Sequence, residues 1–434
     1  MRTEERIPPV PPVAFADALR VWLKIGCLGF GGPAGQIALM HRILVEEKKW
    51  IEEQRYLHAL NFCMLLPGPE AQKLATYAGW LLHGVKGGLG AGILFVLPGA
   101  LVMLGVSFLY ALGTGIPAVD GALFGIKAAV LVIVVEALIR IGRRALKTRM
   151  LIGLAAAAFV GIFFFDLPFP LIVAVAALIG YQTTRYQEGT RQAAAPGRWR
   201  QFAVSTAVGL ALWWAPVALA VLFLGPGHVM TQIGLFFSKL AAVSFGGAYA
   251  LLSYMAQEAV ESQHWMSAPE MVDGLGLAET LPGPLIKVTQ FVGFLAAYRD
   301  AAPFSPLAAG VLGAGLTTWV TFVFPMLLIF AFAPFVEQLR SNQRLSGALA
   351  AITAAVVGVI LNLTVWFALH VLFGKVEEMR AGPLRAYVPD LATLDWRAAA
   401  LALLAAALML RLHRGLVETV AVMALLGILV RFFL

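Results

Sequence analysis

The tetrapeptide Leu66-Pro67-Gly68-Pro69 returns as Leu281-Pro282-Gly283-Pro284, and the same interval of 215 carries Phe30-Gly31-Gly32 onto Phe245-Gly246-Gly247, Lys24 onto Lys239 and Trp50 onto Trp265. Proline removes a backbone donor and clashes with the preceding turn, while glycine admits dihedrals closed to other residues, so each motif breaks a helix. A helix that restarts after a break offers unpaired N–H groups and the positive end of its dipole, which is the chemistry of anion binding. Pro33 and Pro69 stand where a proline in a first turn is tolerated. The competing reading of each break is a kink with a structural role alone.

Ionisable residues gather around the breaks. Lys24 and Lys239 lie six residues before Phe30 and Phe245 inside otherwise apolar helices, where a buried lysine is costly and therefore a functional candidate. Snorkelling toward an interface competes with that reading for Lys24, one turn after Arg20, and Lys239 is the one expected to point inward. After the second break come Glu70, Gln72 and Lys73 in the first half and Lys287, Thr289 and Gln290 in the second, on turns that can reach a ligand held at the helix start. The register pairs Gln72 with Lys287, so the expected site is asymmetric in charge. Lys73 and Lys287 could instead form ion pairs with Glu70 and Glu279 or snorkel.

Glu70, Glu279, Glu46 and Glu261 are the candidates for proton coupling. Glu46 and Glu261 each precede a matched tryptophan by four residues, for which an interfacial anchor is the competing reading. Glu136, a turn before Arg140, is expected to pair with an arginine. The seven histidines show no metal-ligand spacing and no match at the 215 interval, and no nucleophile elbow, phosphate loop or paired-carboxylate pattern occurs, so neither a metal, a cofactor nor catalysis is expected. Cys27 and Cys63 match Ala242 and Ala278 and read as small packing residues.

The elements that must position these residues are membrane helices. Of 434 residues 60% are hydrophobic and only 13% charged, too few to cover a water-soluble surface. Charge-poor runs at about 87–112, 118–139, 202–224, 306–335, 347–373 and 415–433 can each span a bilayer as helix, and 150–165 with 168–182 reads as a tight hairpin. The runs do not alternate with period two, which argues against strands. The expected fold is all-α and polytopic, with two inverted-topology repeats, broken or re-entrant helices and about 12–13 membrane segments.

The net charge of +8 comes from Lys and Arg placed between the apolar runs, which indicates orientation in the lipid bilayer and not a nucleic acid partner. An N-terminal cytoplasmic segment 1–12, without a cleavable signal, precedes a first repeat 13–182. A polar linker with one connecting helix (183–229) leads to a second repeat (230–434). That odd helix inverts the second repeat if each repeat crosses an even number of times. Charge agrees: Arg42, Lys48, Lys49 and Arg55 lie in 42–55, whereas 257–270 holds no Lys or Arg. In this orientation the loop 374–397, mixed in charge, is the least determined.

With Phe30-Gly31-Gly32-Pro33, Trp50 seventeen residues later and Leu66-Pro67-Gly68-Pro69, and with the glycine motif and Leu-Pro-Gly-Pro recurring in the second half, the chain resembles the chromate ion transporter family in its long two-domain form, over nearly its whole length. It departs from strict repetition at Ala248, which replaces Pro33, and in the unmatched lysines after the second break. The resemblance implies a multi-pass protein of a prokaryotic inner membrane that exports chromate and confers resistance to it. Sulfate, of nearly the same shape and charge, is the expected competitor. Transport of sulfate or another oxyanion, or a membrane enzyme acting on lipid phosphate, are the alternatives. The sequence leaves energy coupling and oligomeric state open, a homodimer included.

Overall fold

The computed structural model describes residues 13–113, 115–184, 198–245, 248–335 and 343–433. Segment 1–12, most of the polar linker, Gly246 and Gly247 lie outside them.

The first broken segment comprises α1 (Phe15–Leu28), a bend at Gly29 to Gly31, and α2 (Gly32–His41), which runs on through a π turn, Arg42–Glu47. Gly31 adopts φ 82°, a left-handed conformation that ends α1 and starts α2, with Pro33 in the first turn. The root of α1 and the far end of the π turn share one cavity of ≈ 600 Å³, lined by Val13, Ala14, Asp17, Arg20, Val21, Lys48, Lys49 and Trp50. Both ends of the segment are therefore on one face, and the segment is a re-entrant hairpin.

The second segment is α3 (Glu53–Met64), the Leu66-Pro67-Gly68-Pro69 bend, and the start of α4 (Glu70–Gly113). Helix α4 loses helical geometry at His83 and Gly84 and doubles back there into two antiparallel arms, 70–82 and 85–113. A Cβ on Gly79 would lie 2.4 Å from the Gly87 carbonyl oxygen, so the arms touch through backbone. His83 Nε2 meets the Val13 carbonyl oxygen at 2.7 Å and Phe62 packs on Tyr77 at 5.2 Å between ring centroids, which returns this segment to the face it left.

Four helices follow: α5 (Pro117–Ala145), α6 (Arg149–Phe165), α7 (Phe169–Thr183) and α8 (Arg198–Leu224). The second half then repeats the plan. Helices α9 (Val229–Ala242) and α10 (Ala248–Gln257), with a π turn Glu258–Ser262, form one hairpin, and α11 (Ala268–Thr280) and α12 (Val288–Arg299) the next. Lys49 and His264, 215 apart, both have φ 52°, and Trp50 and Trp265 donate N–H to the Leu44 and Ala259 carbonyls at 2.8 and 2.9 Å. Arg299 at the end of α12 bonds the Glu270 carboxylate at the start of α11 and the Trp265 carbonyl, and His228 reaches the Ala302 carbonyl. The roots of both second-half hairpins thus share one face. Tyr110, at the far end of α4, meets Asp273 near that face, so it is opposite to the face of Val13 and Trp50.

Helices α13 (Pro306–Phe332), α14 (Gln343–Leu372), α15 (Trp396–Ala406) and α16 (Leu416–Phe433) complete the chain. Partners are exchanged between halves: α14 packs on α6 and α7, and α5 on α15 and α16, giving a six-helix unit beside the hairpins. That unit also rests on α10 and α11. Leu109, Leu222, Phe223, Leu403 and Leu425 face outward, an apolar belt suited to lipid. Among the described residues six helices are long and apolar enough to span a bilayer, and α6, α7 and α9 are shorter apolar helices. The protein is an all-α polytopic membrane protein.

One local departure is the loop 374–397, where β1 (Val376–Ala381) and β2 (Leu384–Pro389) pair antiparallel. Its inward anchor is Arg385, 3% exposed, which bonds Glu261 and the Ile162 carbonyl oxygen and pairs with Asp166. A buried guanidinium with several acceptors holds the ribbon where no apolar run could.

Candidate functional site

The four hairpin tips pair across the halves. Gly68 N–H donates to the Ser244 carbonyl at 2.9 Å, and Gly283 N–H donates to the Gly29 carbonyl at 2.9 Å. Gln36, 1% exposed, clamps the second pair by donating to both the Gly29 and Gly283 carbonyls at 3.1 and 2.7 Å. Each bend has an αL-side glycine, with φ 105° at Gly68 and 90° at Gly283. A Cβ on Gly68 would stand 2.6 Å from the Pro325 ring. Irregular backbone at this depth is tolerated because these pairs satisfy part of it and protein surrounds it.

Helices α2, the first arm of α4, and the 3₁₀ turn Leu285–Lys287 leading into α12 all start at these tips, as does α10. Each start leaves first-turn N–H groups without an intrahelical acceptor. Phe30 and Gly31 are exposed, Gly32, Pro33, Pro67, Pro69, Phe245 and Pro282 are half-buried, and Gly68, Gly283 and Pro284 are buried. The first-half opening is therefore accessible, while α10 in the second half is covered by α14.

Lys73 and Lys287, each 1% exposed, donate to the carbonyls of their own bends. Lys73 Nζ bonds Leu66, and Lys287 Nζ bonds Ala278, Leu281 and Gly283 at 2.8, 3.1 and 3.3 Å. Leu66 and Leu281 are 215 apart, so lysines one register step out of match reach equivalent carbonyls: a one-residue difference is absorbed by the 3₁₀ turn after Pro284. The alternative of ion pairs from Lys73 to Glu70 and from Lys287 to Glu279 is not seen among the described residues, where both ammonium groups bond backbone carbonyls. Gln72 and Gln290 play matched parts, donating to the Phe322 and Ala100 carbonyls of the opposite half at 2.9 Å each. Their Oε1 atoms are buried and unbonded in the structure.

Other sequence candidates fall elsewhere. Lys24 and Lys239 are both exposed on their helices, so Lys239 does not point into the core, and its Nζ lies 5.5 Å from the Tyr254 ring centroid. Ala18, Val21, Trp22 and Ile25 form the buried stripe of α1 at helical spacing, and Lys24, two residues from Trp22 and one from Ile25, falls off that stripe. Cys27 shares that exposed face and is not a packing residue, whereas Cys63 is buried. Glu46 is exposed and meets His41 at 3.0 Å, and Glu70 is half-buried. Glu261 belongs to the Arg385 anchor, where burial pushes its carboxyl above the usual range against the Tyr387 hydroxyl and Arg385. Glu279 is buried and accepts from Tyr249 OH at 2.7 Å. Glu136 lies 3.6 Å from Arg140.

Two features are not legible in the sequence: Gln36, which has Leu251 at the matched position, and the Tyr110, Lys127 and Asp273 cluster. Neither obeys the repeat, which was the signal in use. Among the described residues no group of three or more His, Cys, Asp or Glu could hold a metal ion.

Paired hairpins whose helix starts meet inside an apolar bundle define a membrane transporter architecture. The chain belongs to the chromate transporter family, whose model matches residues 16–181 and 231–430. It is 33% identical over 369 residues to a chromate transport protein of Pseudomonas aeruginosa, covering 82% of each chain. It is 28% identical over 363 residues to a probable chromate transport protein of Synechococcus elongatus, covering 82% of this chain and 85% of the relative. A chromate transport protein of Cupriavidus metallidurans is 27% identical over 354 residues, covering 81% and 82%. No solved structure matches.

Proposed function

We propose that this protein exports chromate from the cytoplasm across the inner membrane of a prokaryotic cell and thereby confers chromate resistance. The observation that carries this reading is the reciprocal pairing of the hairpin tips, Gly68 with Ser244 and Gly283 with Gly29, which gathers helix starts from both faces inside the bundle. A tetrahedral dianion is held there by first-turn N–H groups of the Phe30-Gly31-Gly32-Pro33 and Leu-Pro-Gly-Pro breaks, with Lys73, Lys287, Gln72 and Gln290 shaping the bends.

The cavity of Arg20, Lys48 and Lys49 lies at the root of α1, and Lys24 is one turn further toward Gly31. It supplies a cationic approach from the cytoplasmic side. At the matched positions of the second half stand Leu235, Gln263 and His264, so the opposite mouth lacks that attraction. A dianion leaving a negative-inside cell gains about 2.3 kcal/mol per charge per 100 mV, about 4.6 kcal/mol in all, so the potential favours export with or without a coupled proton. The halves of the chain have opposite orientations, with 13–182 and 230–434 as the repeats.

Sulfate transport is the second reading, favoured by one observation: backbone donors and lysines recognise charge and tetrahedral shape, which chromate and sulfate share. Everted vesicles test both. Accumulation of labelled chromate under an imposed lumen-positive potential, unchanged chemically on recovery and competed by sulfate, is the expected result. Failure to accumulate chromate while sulfate enters would reassign the substrate, and chemical conversion would make the protein an enzyme.

A further inference from the structure

We propose that Asp273 is the carboxylate that takes up and releases a proton coupled to oxyanion movement, reached by water from the face opposite Val13 and Trp50. The inference rests on the transport reading above and deepens it. Asp273 is 4% exposed on α11. Its Oδ2 accepts from Tyr110 OH at 2.9 Å, and its Oδ1 lies 3.1 Å from Lys127 Nζ without a hydrogen bond of good geometry. A carboxylate sunk in a membrane bundle is costly to keep unless function requires it.

The three groups come from three elements: Tyr110 from the second arm of α4, Lys127 from α5 in the six-helix unit, and Asp273 from the hairpin arm that ends at Gly283. They line a cavity of ≈ 330 Å³ together with Asp120, Asp395, Arg397 and Arg431. Those four sit at helix ends, in the first turn of α5, at the start of α15 and in the last turn of α16, so the cavity runs from the membrane surface to the buried carboxylate. Glu270 and Arg299, the other charges nearby, are engaged with each other at the root of the hairpin.

The lining holds three carboxylates, Asp120, Asp273 and Asp395, against three cations, Lys127, Arg397 and Arg431. One proton on Asp273 leaves the cavity net positive and releases Lys127 from its counter-charge. Helix α11 rests on α5 closely enough that a Cβ on Gly276 would lie 2.5 Å from Ile126, so the Asp273–Lys127 contact fastens the hairpin arm to the six-helix unit. Protonation from outside therefore loosens the arm whose tip lies at the oxyanion site, in the sense of proton entry against oxyanion exit. Glu46, Glu261 and Glu279 are engaged with His41, Arg385 and Tyr249, and none of them lines this cavity.

Everted vesicles with potential clamped and an acidic lumen separate the possibilities. Wild type should accumulate labelled chromate faster as the lumen is acidified, and Asp273→Asn should lose that dependence at least tenfold while still exchanging labelled for unlabelled chromate at equal pH. Tyr110→Phe, which removes a donor to the charged carboxylate, should move the acid-dependent midpoint upward by about one pH unit. Retained pH dependence in a folded Asp273→Asn protein, or loss of exchange along with it, would overturn the inference. If Asp273→Asn does not fold, an unmoved midpoint in Tyr110→Phe overturns it. A wild type that carries chromate without responding to the pH gradient sinks this inference alone; one that carries no oxyanion under any gradient sinks the transport reading too.

Discussion

Gly283 donates its backbone N–H to the Gly29 carbonyl across 2.9 Å, and the residues 215 earlier and later, Gly68 and Ser244, repeat the same bond. The duplication seen along the chain is thus a contact between its halves. Each Leu-Pro-Gly-Pro tip is completed by the first break of the other half, which ties the two bends into one mechanical unit.

Replacing either tip glycine by alanine should abolish chromate transport. Both residues have φ near +100°, where a side chain costs about 1–3 kcal/mol of strain. Gly68→Ala also pushes a methyl within 2.6 Å of the Pro325 ring and should lower thermal stability, whereas at Gly283 the nearest atom, Gly99 Cα, is 3.4 Å away. Gly283→Ala should therefore reach the membrane in near-normal amount and fail in vesicle uptake. Full uptake by that variant would argue against a site at this tip.

Lys73→Ala and Lys287→Ala each strip a buried donor from the carbonyls of its own bend. Each should cost about 1–3 kcal/mol of stability and reduce chromate export more than tenfold, with Lys287 the more severe because it serves three carbonyls. Denaturation midpoints and resistance of expressing cells measure the two effects separately. A variant with normal uptake would leave its lysine out of the site.

Single cysteines at Glu52 and Ser267, in a Cys27→Ala, Cys63→Ala background, should react with an impermeant maleimide from opposite sides. Both positions are exposed and lie at hairpin roots on opposite faces, while native Cys27 is exposed and would obscure the result. Labelling of both from one side would refute the inverted orientation.

Lys48→Gln with Lys49→Gln should raise the KM for chromate in everted vesicles several-fold and leave the maximal rate near wild type. The two ammonium groups line the cavity at the root of α1 and concentrate a dianion without contacting the hairpin tips. The wild-type advantage should shrink as ionic strength rises, because the Debye length falls to about 3 Å at 1 M salt. A KM indifferent to both changes would remove the cavity from the route.

Composition, the 215 interval and the contrast between Lys48 with Lys49 and their uncharged counterparts determined that the chain is a duplicated membrane protein with breaks at set positions. These are properties of local backbone chemistry and of charge against lipid, and both are written residue by residue. Only the tertiary structure decided that the broken segments are hairpins, because proline and glycine state that a helix stops and not where the chain turns next. It decided also that Lys24 and Lys239 face outward, since one stop in helix rotation separates a buried from an exposed lysine in a run apolar on all sides. Gln36 and the Asp273, Lys127 and Tyr110 cluster were invisible for a related reason. Their partners across the halves are 146 to 247 residues away without a matched copy, so their meaning arises where the two halves pack unequally.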